Sequence, residues 1–81
     1  MPDKQIERFH PGGYIADEMV CRNWDIKDLA LKSGLNVERL QPILDGTASV
    51  LPVDAFGLSR AFGTSCRLWL NIQRSYDRES R

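Results

Sequence analysis

The sequence predicts an all-α domain of five short helices, and three observations carry that prediction. Apolar residues recur at three- and four-residue spacing within each segment, as the buried stripe of a helix requires. The segments open on Pro or on a short polar side chain able to cap a helix, and several close on Gly, which tolerates the left-handed turn beyond a helix end. No run alternates apolar and polar residues as a half-buried strand would, and no segment repeats.

The elements follow in chain order. Residues 1–9 mix charge with Ile6 and Phe9 and read as an arm; residues 10–78 form the domain and 79–81 a charged tail. Pro11 suits the first turn of a helix running to Arg22, with Ile15 and Met19 on one face. Asp25 caps the second helix, "IKDLALKS", because its carboxylate can accept a free amide proton two or three residues on, and Asp28 adds negative charge to that first turn. Ile26, Leu29 and Ala30 face inward, and Gly34 ends the helix. Asn36 is placed as the cap of a third helix reaching Leu44 and stopping at "DG", with Leu40, Ile43 and Leu44 buried. "TASVL" is a loop, Pro52 opens the fourth helix (Ala55, Leu58, Ser59 and Phe62, flanked by Phe56), and Gly63 closes it. Ser65 caps the fifth, whose stripe is Leu68, Trp69, Ile72 and Tyr76.

An 81-residue chain has room for one hydrophobic core and not two. Its 42% apolar and 27% charged residues are those of a folded globular domain. Eleven Lys and Arg balance eleven Asp and Glu, so no global positive field draws it to nucleic acid, and DNA binding must rest on a local patch. No apolar run approaches the roughly 18 residues that span a bilayer, and the N-terminus lacks a signal-peptide core, so a cytoplasmic location is expected. Cys21 and Cys66 lack the paired spacing of a metal or redox motif and are expected as small buried hydrophobes. His10, the single histidine, has no partner for a relay or a metal and is given a structural role at the entrance to the first helix. With no Gly-rich phosphate loop and no distinctive carboxylate pair, neither enzymatic activity nor a cofactor is expected.

The second helix, the turn "SGLN" and the third helix form a helix-turn-helix pattern. Ala30 allows close approach, Gly34 supplies the bend, and Leu35 plugs the angle between the two helices. Over a longer span, "HPGGYIADEM", "DLALKSGL", "ILDG" and "LSRAFGTSCRLWLNIQRSYD" resemble the HigA-type (VapI-like) antitoxins of the Xre/Cro helix-turn-helix class, from His10 to Asp77. That resemblance implies a lambda-repressor-like DNA-binding domain, a homodimer, encoded beside a HigB-type mRNA-cleaving toxin. It would neutralise the toxin and repress its own operon at a palindromic operator.

Against the family pattern, Asp25 and Ile26 stand where Ser or Thr and then Gln are usual, leaving Lys27 as the phosphate contact, and Thr47 and Ala48 replace a basic pair. Each lost cation removes a released counterion from the binding free energy. The residues placed at DNA are Lys27, Asn36, Val37, Glu38, Arg39 and Gln41, with Arg39 suited to guanine and Gln41 to adenine; a merely solvated Arg39 is the competing expectation. Pro42 lacks an amide proton and crowds the carbonyl of Glu38, at about 3 kcal/mol, so the third helix is expected to kink or to begin late, near Pro42. Leu68, Trp69, Ile72 and Tyr76 are assigned to the core or to a dimer or partner surface. Two functions stay open: an operator-binding antitoxin with a weakened DNA grip, or a protein-interaction module on the same fold.

Overall fold

The computed structural model describes residues 10 to 79, which fold as α1 (Pro11–Arg22), α2 (Ile26–Ser33), α3 (Val37–Asp45), α4 (Pro52–Phe62) and α5 (Cys66–Glu79). The arm at 1–9 and the tail beyond Glu79 lie outside the described residues. α1 packs on α3 and α5, α2 on α3 and α4, and α4 on α5. Between them sit Ile15, Met19, Leu29, Leu40, Ile43, Val50, Ala55, Leu58, Phe62 and Trp69, all buried. No helix among the described residues is long and apolar enough to cross a membrane.

The helix ends show why these segments start and stop where they do. His10 caps α1: its Nδ1 accepts the Gly12 amide proton at 2.9 Å, ahead of Pro11 in the first turn. At α2 the expected cap is doubled, because the Asp28 amide donates to Asp25 while the Asp25 amide donates to Asp28, each at 2.9 Å. α4 opens on Pro52, with the Leu51 amide donating to Asp54 at 2.8 Å, and α5 begins with the Leu68 amide donating to Ser65 Oγ at 3.1 Å. Asn36 departs from expectation. It holds the cap position of α3, but its side chain makes no capping bond.

Two further expectations are corrected, and one open assignment is resolved. α3 begins at Val37 and runs through Pro42 to Asp45, so the late start does not occur. Pro42 lies one turn from the helix end, Glu38 is exposed, so water can serve the carbonyl left without a helical donor. The Pro42 carbonyl itself accepts the Thr47 and Ala48 amides at 2.9 and 3.1 Å, which folds the following loop back on the helix. Cys21 is exposed rather than buried, because it falls on the face of α1 away from Ile15 and Met19; Cys66 is half-buried. Trp69, assigned either way, is core: 2% exposed, 5.7 Å from the Phe62 ring centroid, with its indole N–H donating to Thr64 Oγ1 at 2.7 Å.

A steric requirement that periodicity does not reveal holds α1 against α3. A Cβ on Gly12 would stand 2.2 Å from the Ile43 carbonyl oxygen and 3.0 Å from that of Leu44, so the two helices meet there backbone to backbone. Next to it, Gly13 faces open space.

Candidate nucleic-acid interface

The turn between α2 and α3 is built as the sequence predicts. Gly34 takes the left-handed conformation (φ 78°) and donates its amide proton to the Ala30 carbonyl at 2.9 Å. Leu35 turns inward and Ala30 packs half-buried on the core. What seats this turn is Gly57 on α4, where a Cβ would lie 2.7 Å from the Ser33 carbonyl oxygen and 3.1 Å from Leu35 Cγ. The Ser33 hydroxyl accepts the Leu35 amide proton at 3.1 Å.

On this frame the predicted contact residues divide. Lys27, in the first turn of α2, and Asn36, Glu38 and Gln41, at the start and middle of α3, are exposed; Val37 is half-buried. Gln41 donates to the Asp45 carboxylate one turn on, at 3.0 Å, across solvent-exposed surface. Arg39 does not point outward. Its Nε donates to Asp54 Oδ1 at 2.9 Å, its Nη2 donates to Asp54 Oδ2, and the same Nη2 donates to the Ser49 carbonyl at 2.8 Å. Asp54 is fully buried, and its bonds to Arg39 hold the guanidinium above its ordinary pKa, outweighing the opposing effect of burial. Arg39 thus ties α3 to the loop and to the first turn of α4, where Asp54 also accepts the Leu51 amide.

A second tie in this loop also lay beyond sequence reading. Buried Gln73 on α5 accepts the Val50 amide proton at 2.8 Å and donates to Asp77 at 2.9 Å. Together Arg39 and Gln73 fix the segment after α3 at two successive residues, through the Ser49 carbonyl and the Val50 amide. Asp54 could have been found from its place two residues after Pro52, in the first turn of a helix. Gln73 carried no such sign.

Among solved structures, the chain is similar to an addiction module antidote protein of a HigA family from Coxiella burnetii, with 30% identity and a TM-score of 0.87 over 93% of this chain and 83% of that one. The chain belongs to the HigA family. It is also similar to a putative antidote protein of a plasmid maintenance system from Nostoc punctiforme, at 29% identity and a TM-score of 0.88 over 93% of this chain and 82% of the other. The Pseudomonas aeruginosa antitoxin HigA, solved with the higBA promoter, shares the fold at a TM-score of 0.85 and 24% identity, over 91% of this chain and 82% of that one. No family model and no curated protein matches the chain.

In this HigA chain the acidic cap of α2 has a measurable consequence. The Asp28 amide proton, donated to Asp25, holds the Asp25 carboxyl below its ordinary range, against a smaller opposing effect of desolvation. A depressed folded value means the cap stabilises fully above the unfolded carboxylate range and is lost as pH falls through the folded value. Asp25→Asn keeps an acceptor at the cap and removes the charge. The melting temperature of wild type relative to Asp25→Asn is expected to fall on acidification below the ordinary carboxylate range and to be flat from there to neutrality. A constant difference at every pH would show that the Asp25 charge does not stabilise α2.

Proposed function

We propose that this chain is the antidote of an addiction module: a cytoplasmic regulator, not an enzyme, that acts as a homodimer, binds its own operator through α2 and α3, and neutralises a HigB-type toxin through another surface. What carries the proposal is the helix-turn-helix unit, with its Gly34 turn and exposed first turn of α3, in a chain 30% identical to a HigA-family antidote. The P. aeruginosa antitoxin of the same fold is described with the higBA promoter, which supports operator DNA as the ligand. Lys27 and the uncapped Asn36 amide are the groups offered to phosphates, and Gln41 the group offered to a base edge. For the homodimer, Leu68 is the exposed member of the α5 stripe; Ile72 is half-buried, Tyr76 packs edge-on against His10 at 4.8 Å, and Trp69 contributes no surface.

One observation favours a second reading, a protein-interaction module with little DNA affinity. Arg39 is engaged by Asp54, and the outward side of α3 presents Glu38 and Asp45, so the helix meant for the groove meets it with negative charge. A titration against the chain's own upstream DNA at several salt concentrations separates the two. Sequence-specific binding is expected, with a shallow dependence on salt. Thr47→Arg, on the exposed loop where the family carries a basic residue, is expected to steepen the log–log salt slope by about one. If neither protein distinguishes upstream from scrambled DNA, operator binding is lost as a function and the interaction module stands.

A further inference from the structure

Away from α2 and α3, the outward face of α5 carries a row of three arginines and an asparagine. Arg67, Asn71, Arg74 and Arg78 recur at helical spacing, and all four are exposed. Arg67 and Arg74 form no ion pair among the described residues, while Arg78 Nη2 lies 3.5 Å from Ser75 Oγ. Arg67, Leu70, Asn71 and Arg74 line a shallow groove of about 540 Å³, in which half-buried Leu70 places an apolar group between two guanidiniums. Asp77, the carboxylate bordering this row, already accepts from Gln73. In a chain of zero net charge, this stripe of α5 sets three arginines on one face, with Asp77 at its border.

We propose that this face of α5 docks an acidic amphipathic helix of a protein partner. One feature favours a polypeptide over a phosphate backbone. Leu70 offers an apolar contact that a sugar-phosphate chain leaves unused. The arginines are separated by intervals of seven and four residues, about 10 and 6 Å along the axis, which carboxylates one and two turns apart on a facing helix can match, and the duplex arm of the test below separates that partner from a phosphate backbone of similar repeat. Guanidinium forks pair with carboxylates through two parallel hydrogen bonds, so such a partner would be held in register as well as attracted. The proposal does not rest on operator binding, because α5 lies outside the helix-turn-helix unit.

The test uses a labelled synthetic helix with Glu at positions matching Arg67, Asn71, Arg74 and Arg78 around one Leu, titrated with the whole chain at low and high salt. Beside it run the same peptide with Gln for Glu and a random-sequence DNA duplex. The Glu peptide is expected to bind at low salt, with Arg67→Glu/Arg74→Glu weakening it on the order of tenfold or more, to the level of the Gln peptide. Arg67→Gln/Arg74→Gln repeats the measurement should the reversed charges lower the melting temperature. No binding of the Glu peptide, equal binding of both peptides, or indifference to the substitutions overturns the proposal. So does a duplex that binds more tightly than the Glu peptide and is released by the same substitutions, since the face would then be a phosphate site.

Discussion

Gly12→Ala is expected to lower the melting temperature by roughly 5 to 15 °C, while Gly13→Ala, one residue on, is expected to raise it slightly. Alanine favours a helix over glycine by about 0.5–1 kcal/mol at either site, so propensity alone predicts two stabilised proteins. At Gly12 the new methyl would lie 2.2 Å from the Ile43 carbonyl oxygen and 3.0 Å from that of Leu44, far inside the roughly 3.5–4.0 Å of an ordinary carbon contact. Neither obstacle is a side chain that can swing away. α1 must move off the last turn of α3, and overpacking of this kind costs about 1–3 kcal/mol or more, which exceeds the helix gain. At Gly13 nothing lies within 4 Å, and the gain stands unopposed. Because the displaced backbone is that of α3, Gly12→Ala is also expected to weaken operator binding at temperatures where it stays folded. Equal melting temperatures for the two variants would mean that α1 and α3 have room to separate, and the close approach would lose its structural importance.

The contrast between these neighbouring glycines shows what could be read from the chain and what could not. Helix positions were legible because their causes are local: Pro11 and Pro52 in first turns, Asp25 with Asp28, Ser65 before Leu68, and Gly34 at the turn all act within four residues. The resemblance to HigA antitoxins was legible for the same reason, as it rests on contiguous strings. Contacts between distant residues were not. Nothing near Gly12 shows that Ile43 will lie against it, and nothing near Gly57 points to Ser33. The stripe on α5 likewise marked Trp69 as apolar without saying whether core or partner would cover it; Phe62 and the Thr64 hydroxyl decide that. Pro42 lies inside α3, as its distance from Val37 indicates, and what no local signal showed is that its carbonyl accepts the Thr47 and Ala48 amides and so organises the turn leaving the helix. The site therefore divides. Its frame was readable, and the direction of Arg39 depended on an acceptor fifteen residues away.

Arg39→Ala is accordingly expected to act on the fold before it acts on DNA. The substitution leaves the fully buried Asp54 carboxylate with the Leu51 amide and no cation, and takes a donor from the Ser49 carbonyl. Removing one partner of a buried pair costs about 3–5 kcal/mol; the Arg39 side chain keeps 34% of its surface exposed, so water can enter behind it, and the loss is set lower, at about 2–3 kcal/mol. In a domain of this size that is a fall of roughly 10 °C or more. Arg39→Met with Asp54→Asn, which removes the charge from both sides and leaves an acceptor for Leu51, is expected to recover part of the loss, so that the two positions are coupled in a double-mutant cycle. Gln41→Ala reports the other role: it is expected to change stability little and to weaken discrimination at one base position of the operator. Measured at low temperature, where every variant is folded, operator affinity should fall more for Gln41→Ala than for Arg39→Ala. An Arg39→Ala protein that melts like wild type yet loses its operator would reverse the assignment, because the guanidinium would then have left Asp54 to meet a guanine, and the ion pair would be a resting position of the DNA-reading group.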